Sequence, residues 1–107
     1  SNEKTVIISD SQAPTIPQNL SALIVNGQRL RFTWQANNDD TLFYRLYHGV
    51  NAGQYGQSFD SDNQATSLEL DLRQFPAGAN YFALTALDAS GNESFKSAPT
   101  YIVLNVQ

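Results

Sequence analysis

The stretch Asn80–Ser94, NYFALTALDASGNES, constrains the chain more than any other. Phe82, Leu84 and Ala86 alternate with Tyr81, Ala83 and Thr85, the period of two that a β-strand imposes. Asp88-Ala89-Ser90-Gly91-Asn92 then breaks the pattern with turn formers. Such a strand, Tyr81 to Leu87, needs a neighbour along each edge and a second layer over its apolar side. The same alternation recurs. In Gln28–Trp34, Leu30, Phe32 and Trp34 point one way and Arg29, Arg31 and Thr33 the other. In Thr66–Leu72, Leu68, Leu70 and Leu72 stand against Glu69 and Asp71. No stretch carries a helical period, so the chain is expected to be all-β.

The remaining segments fit that expectation. Lys4–Ser9 is β-branched and strand-prone. Asn19–Val25 puts Leu20, Ala22 and Ile24 on one face. Asn26-Gly27 is a strong hairpin signal, because both central residues of that turn need positive φ. Phe43–Gly49 sends Tyr44 and Leu46 inward and Arg45 and Tyr47 outward. Gln54–Phe59 is a further short strand, and Pro76 and Gly78 make a corner. Ser94–Val106 is the last strand, interrupted by Pro99, which argues for a sheet edge. Short strands at this spacing mean a sandwich or barrel. The outward charges also predict a pairing. Arg29 and Arg31 suit Glu69 and Asp71, so Gln28–Trp34 should lie beside Thr66–Leu72.

Length and charge narrow the function. At 107 residues the chain makes one domain. Residues 1–13 read as an N-terminal extension or linker and 14–107 as the domain, with Pro14 and Pro17 stiffening the link Asp10–Pro17 between them. Lys4–Ser9 is weakly similar to Thr100–Asn105, TYIVLN. It is either the last strand of an upstream module or an extra edge strand. A monomer is expected, with a strand-exchange dimer through residues 4–9 as the alternative. A net charge of −4 repels a phosphate backbone, so nucleic acid is not an expected partner. No apolar run approaches 18 residues, so membrane insertion is not expected either. Without cysteine there are no disulfides, thiolate metal sites or cysteine nucleophiles.

The polar candidates carry little chemistry. His48, the one histidine, has no nucleophile elbow to serve and is expected to face solvent at a strand end. Asp39-Asp40 reads as a polar loop tip. Asp60–Gln64 begins like a calcium loop, but Ala65 and Asp71 stand where that loop wants glycine and glutamate. Asn19 and Asn92 begin sequons and read as turn residues. No catalytic, cofactor or metal residues are expected. The candidate binding face is the outer side of the larger sheet, where Tyr47, Tyr55 and Tyr81 would gather around Ala83 and Thr85.

Four pieces carry a resemblance. Pro17-Gln18-Asn19-Leu20-Ser21-Ala22, Trp34 at the end of a second strand, Tyr44-Arg45-Leu46-Tyr47 and Ala83–Ser94 together resemble a fibronectin type III domain of bacterial style. The resemblance implies an immunoglobulin-like β-sandwich of seven strands in two antiparallel sheets, three over four. It implies no catalysis. Such modules serve as spacers, scaffolds or adhesive units in extracellular or cell-surface multidomain proteins, in bacteria often beside polysaccharide-degrading enzymes. The expected partners are then neighbouring domains of the same polypeptide, with a glycan or a surface protein as the alternative. One place departs from the pattern. Where the family has a tyrosine capping a corner, this chain has Asn80, with Tyr81 next to it. Tyr81 is expected outward, since Phe82, Leu84 and Ala86 make the better core face. The expected core is Leu20, Leu30, Phe32, Trp34, Tyr44, Leu46, Leu68, Leu70, Leu72, Phe82, Leu84 and Ala86.

Overall fold

The computed structural model describes residues 12–105. Lys4–Ser9, and the dimer it would mediate, lie outside the described residues. The described chain forms seven strands: β1 Gln18–Val25, β2 Arg29–Gln35, β3 Thr41–Gly49, β4 Gln57–Asp60, β5 Ser67–Asp71, β6 Gly78–Asp88 and β7 Thr100–Leu104. A 3-10 turn, Leu72–Gln74, joins β5 to β6. One sheet runs β1-β2-β5 and the other β4-β3-β6-β7, all antiparallel. This is the expected sandwich of three strands over four.

The charge argument for pairing holds. β2 lies beside β5, with Arg29 opposite Asp71 and Arg31 opposite Glu69. Glu69 accepts from both Arg29, at 3.1 Å, and Arg31, at 2.8 Å. These pairs are exposed and each adds little stability. They fix the register instead, since a slip of one residue would turn Leu68 and Leu70 to solvent. The Asn26-Gly27 hairpin also forms as its sequence requires, with φ of 55° and 68°.

The core is sealed between the sheets. Leu30, Phe32, Leu46, Phe82, Leu84 and Ala86 have no exposed surface, and Trp34 keeps only 6% of its own. Trp34 packs against Tyr44 at 5.3 Å between ring centroids, and Phe32 against Phe82 at 4.6 Å. Leu20, Leu68 and Leu70 are half-buried flanks of that core. Ile24 shares their face, opposite Leu30, but lies on an edge strand and stays 41% exposed. Phe75, Leu104, Phe59 and Ile102 also join the core.

Two expectations are corrected. His48 does not face solvent; it is 6% exposed. The alternation that turns Tyr44 and Leu46 inward carries His48 inward as well, onto Phe75 at 4.7 Å and Phe82 at 5.2 Å. The last strand is also shorter than Ser94–Val106. Only Thr100–Leu104 is regular, and Val106 lies outside the described residues. Glu93–Pro99 still follows the edge of β6, held by serines. The N–H groups of Ser94 and Ser97 donate to the carbonyls of Ala86 and Leu84. Their hydroxyls accept from the N–H groups of the same two residues, at 2.9 and 3.0 Å. Ser61 does the same for Tyr44 where β4 ends. At each place a hydroxyl stands in for the strand carbonyl that the departing chain no longer offers, and no buried N–H on the inner strand is stranded.

The corner before β6 is held without a tyrosine ring. Asn80 has no exposed surface. Its amide donates to the carbonyls of Pro76, at 2.9 Å, and Gly78, at 3.0 Å. With its NH₂ so placed, Oδ1 is the acceptor for His48 Nε2, 2.7 Å away. Nδ1 of the same ring lies 3.2 Å from Gln57 Oε1. Tyr81, as expected, points out of the sandwich.

Candidate functional site

The outer face of the four-stranded sheet carries the three tyrosines singled out from the sequence. The structure divides them. Tyr47 and Tyr55 form one pair, with ring centroids 6.4 Å apart. Tyr81 belongs to another, with Tyr101 at 5.8 Å. Tyr81 and Tyr101 are direct cross-strand partners on β6 and β7. The sequence does not single out Tyr101, because a last strand running Ser94–Val106 through Pro99 leaves its register unfixed.

Tyr47 is fully engaged within the molecule. Its hydroxyl donates to Glu93 Oε2, which also accepts from Thr85 at 2.7 Å. The ammonium of Lys96 sits 4.5 Å from the centre of its ring and 6.0 Å from that of Tyr55. Arg45 completes the group, reaching Asp60 at 2.7 and 3.2 Å and Glu93 at 3.7 Å. Burial and then the Glu93 hydrogen bond push the Tyr47 hydroxyl above its ordinary pKa, the Arg45 hydrogen bond opposing them. Burial does the same to Tyr55. The Asp60 hydrogen bond holds Arg45 more firmly protonated still. Thr85 and Ala83, though on the outer face, are almost wholly covered. This half of the face is a closed cluster.

The other half is open. Tyr101 is 63% exposed and Val103 57%. Beside them, across Tyr81, is Gly49 of β3. A Cβ on Gly49 would stand 1.8 Å from the carbonyl oxygen of Gln54, so the β3–β4 hairpin folds against a bare backbone here. The hairpin turns at Asn51–Gln54, with Gly53 at a φ of 78°. An open cavity of about 520 Å³ lies in it, lined by Gly49, Asn51, Gln54, Tyr55 and Gln57 among others.

The remaining sequence candidates serve the fold. Asp39 ties down the incoming chain. Its carboxylate accepts from the N–H and hydroxyl of Thr15, at 2.9 and 3.0 Å, and from the N–H of Thr41 at 3.0 Å. Burial works to raise its pKa, but the hydrogen bonds from Thr41 and Thr15 together outweigh it and leave the carboxyl below its ordinary range. Asp60 and Ser61, at the head of the calcium-like loop, are spent on Arg45 and on the backbone of Tyr44. Among the described residues no three His, Cys, Asp or Glu side chains are gathered as metal ligands.

The element order and the three-over-four pairing define an immunoglobulin-like β-sandwich. Among solved structures, the chain is similar to the FN1-FN3 domains of chicken CNTN1, with a TM-score of 0.73 and 17% identity over 88% of this chain. It is similar to a chitinase, ChiA74 from Bacillus thuringiensis, with a TM-score of 0.73 and 19% identity over 94%. It is also similar to the FN5 domain of Drosophila Lar, with a TM-score of 0.65 and 15% identity over 89%. The chain therefore has the fibronectin type III fold. It spans the whole of the Lar domain, but 33% of the CNTN1 chain and 15% of the chitinase. No protein-family model matches the sequence, and no curated protein matches it. Among the described residues no helix is long and apolar enough to cross a membrane.

Proposed function

We propose that this domain is a non-catalytic spacer that holds flanking domains of one extracellular or surface polypeptide apart and in fixed orientation. The observation that carries this reading is where the chain enters and leaves. β1 starts at Gln18, opposite Gln35 and beside the 36–40 loop, at the end of the sandwich where Thr41 meets Asp88. β7 ends at Leu104, opposite Gly78, at the other end. The incoming segment is pinned. Pro14 and Pro17 are buried, Thr15 donates to Asp39, and Asn37 donates to the Thr15 carbonyl at 2.7 Å. A proline-stiffened lead bolted to a loop transmits orientation, whereas a free one does not. The fold's occurrence within a chitinase is consistent with a parent that degrades polysaccharide. His48 supports the non-catalytic reading, since both its ring nitrogens meet amide side chains.

The test is a distance distribution between spin labels at residues 13 and 105 and on flanking domains fused to each end. A narrow distribution that broadens in an Asp39→Ala, Asn37→Ala variant supports the spacer. A broad distribution in the native chain refutes it.

A further inference from the structure

The surface around Tyr101 has a chemical character that a spacer does not need. None of the six basic or ten acidic residues falls within 46–59, 74–87 or 97–107. The topology brings these three stretches together. They supply the β3–β4 hairpin, the first ten residues of β6 and all of β7. One row across the sheet runs Gly49, Tyr81, Tyr101, each opposite the next. Gly49 also lines the 520 Å³ cavity with Tyr55, Asn51, Gln54 and Gln57. The row is about 10 Å across, two interstrand spacings. The cavity lies within the usual range for a small-ligand site, about 300–1,000 Å³.

We infer that this row and cavity form a binding site for a neutral, extended oligosaccharide. Tyr101, with Tyr81 beside it, supplies a ring face for the C–H faces of sugars. Asn51 and Gln54 supply paired donors and acceptors for hydroxyls. The Gln54 main chain covers Gly49, so the hairpin stands as a wall at the end of the row, beside Tyr81. The absence of formal charge along the row removes any attraction for a polyanion, and the chain's net charge of −4 opposes one. Lys96 reaches only the border, where Tyr47 and Tyr55 hold it. A protein interface of ordinary specificity would favour arginine among its anchors, and none is here. Tyr47, one of the three tyrosines that the sequence singles out, is not a contact, because Glu93 and Lys96 occupy its hydroxyl and its ring.

The inference stands apart from the spacer reading and is tested without flanking domains. Amide chemical shifts of the 107-residue chain are followed while cellohexaose, xylohexaose or N-acetylchitohexaose is added, with an oligogalacturonate as the anionic probe. At least one neutral probe should saturate at millimolar concentration, moving residues 49–57, 81 and 101. Tyr101→Ala should weaken that affinity about tenfold, the loss of one ring contact. Tyr101 is mostly exposed, so the variant should fold. Phe95→Ala is the control: Phe95 is 84% exposed, near the opposite end, and its loss should change nothing. The inference is overturned if no neutral probe saturates, if only the oligogalacturonate binds, or if Tyr101→Ala binds as the native chain does.

Discussion

Asn80→Ala should be among the most damaging polar substitutions in this domain. The side chain has no exposed surface and serves three groups at once. Truncation leaves the His48 Nε2–H buried with no acceptor, at a cost of about 1–3 kcal/mol. It also frees the carbonyls of Pro76 and Gly78. These lie at a partly solvated corner, and water recovers part of their loss. A total of about 2–4 kcal/mol follows, against roughly 5–15 for a whole domain. In a thermal melt that is a fall on the order of 10–25 °C for a domain of this size. The decisive assay is a double-mutant cycle by urea denaturation. His48→Phe keeps a ring against Phe75 and Phe82 but removes the donor. Placed on the Asn80→Ala background, it should recover about 1 kcal/mol or more of the summed single losses. Strict additivity would show that the imidazole and the amide do not depend on each other. An Asn80→Ala loss below about 0.5 kcal/mol, the level of an ordinary surface change, would show that this residue does not hold the corner.

The other expected outcomes concern the core, the hairpin and acid. Trp34→Ala should cost ~3–5 kcal/mol, read as a lower urea midpoint; a midpoint near wild type would mean the indole contributes nothing between the sheets. Gly49→Ala drives a Cβ into the Gln54 carbonyl, so the hairpin must open. That should cost about 1–3 kcal/mol and shift amide resonances of residues 50–57, and unchanged resonances there would contradict the close approach. Asp71, Glu69 and Asp39 have depressed pKa values. Arg73 hydrogen bonds hold Asp71 at about 2, Arg31 and then Arg29 lower Glu69, and Asp39 is lowered against its burial by Thr41 and Thr15. A depressed carboxyl contributes stability that is complete above its unfolded pKa, about 4, and is lost as pH falls through its folded value. The urea midpoint should therefore not fall on account of these groups until near pH 4, then fall toward pH 2. An Asp39→Asn, Glu69→Gln, Asp71→Asn variant that declines as steeply as the native chain would refute that account.

What could be read from the residues, and what could not, divides along one physical line. A strand's period of two is written in apolar side chains, so Leu30, Phe32, Trp34, Phe82 and Leu84 announced both the layers and their facing sides. The Arg29–Glu69 and Arg31–Glu69 contacts were legible for a similar reason, since outward charges must answer one another across a strand pair. His48 was legible too, two residues beyond Leu46, but its polarity obscured the alternation that buries it. The sheet edges were not legible. Ser61, Ser94 and Ser97 each close a ladder with a hydroxyl, yet serine is equally at home in any loop, so its type carries no sign of that role. Misplacing the edge at Ser94–Val106 hid the register of β7, and with it the Tyr81–Tyr101 pair. Binding surfaces on a sandwich depend on register, because register alone decides which rings lie side by side. The one signal that needed no register was the run of residues without charge in 46–59, 74–87 and 97–107. Those stretches also send Leu46, Phe82, Leu84 and Leu104 into the core, so their lack of charge marks the outer face only at the alternate, outward positions such as Tyr81 and Tyr101.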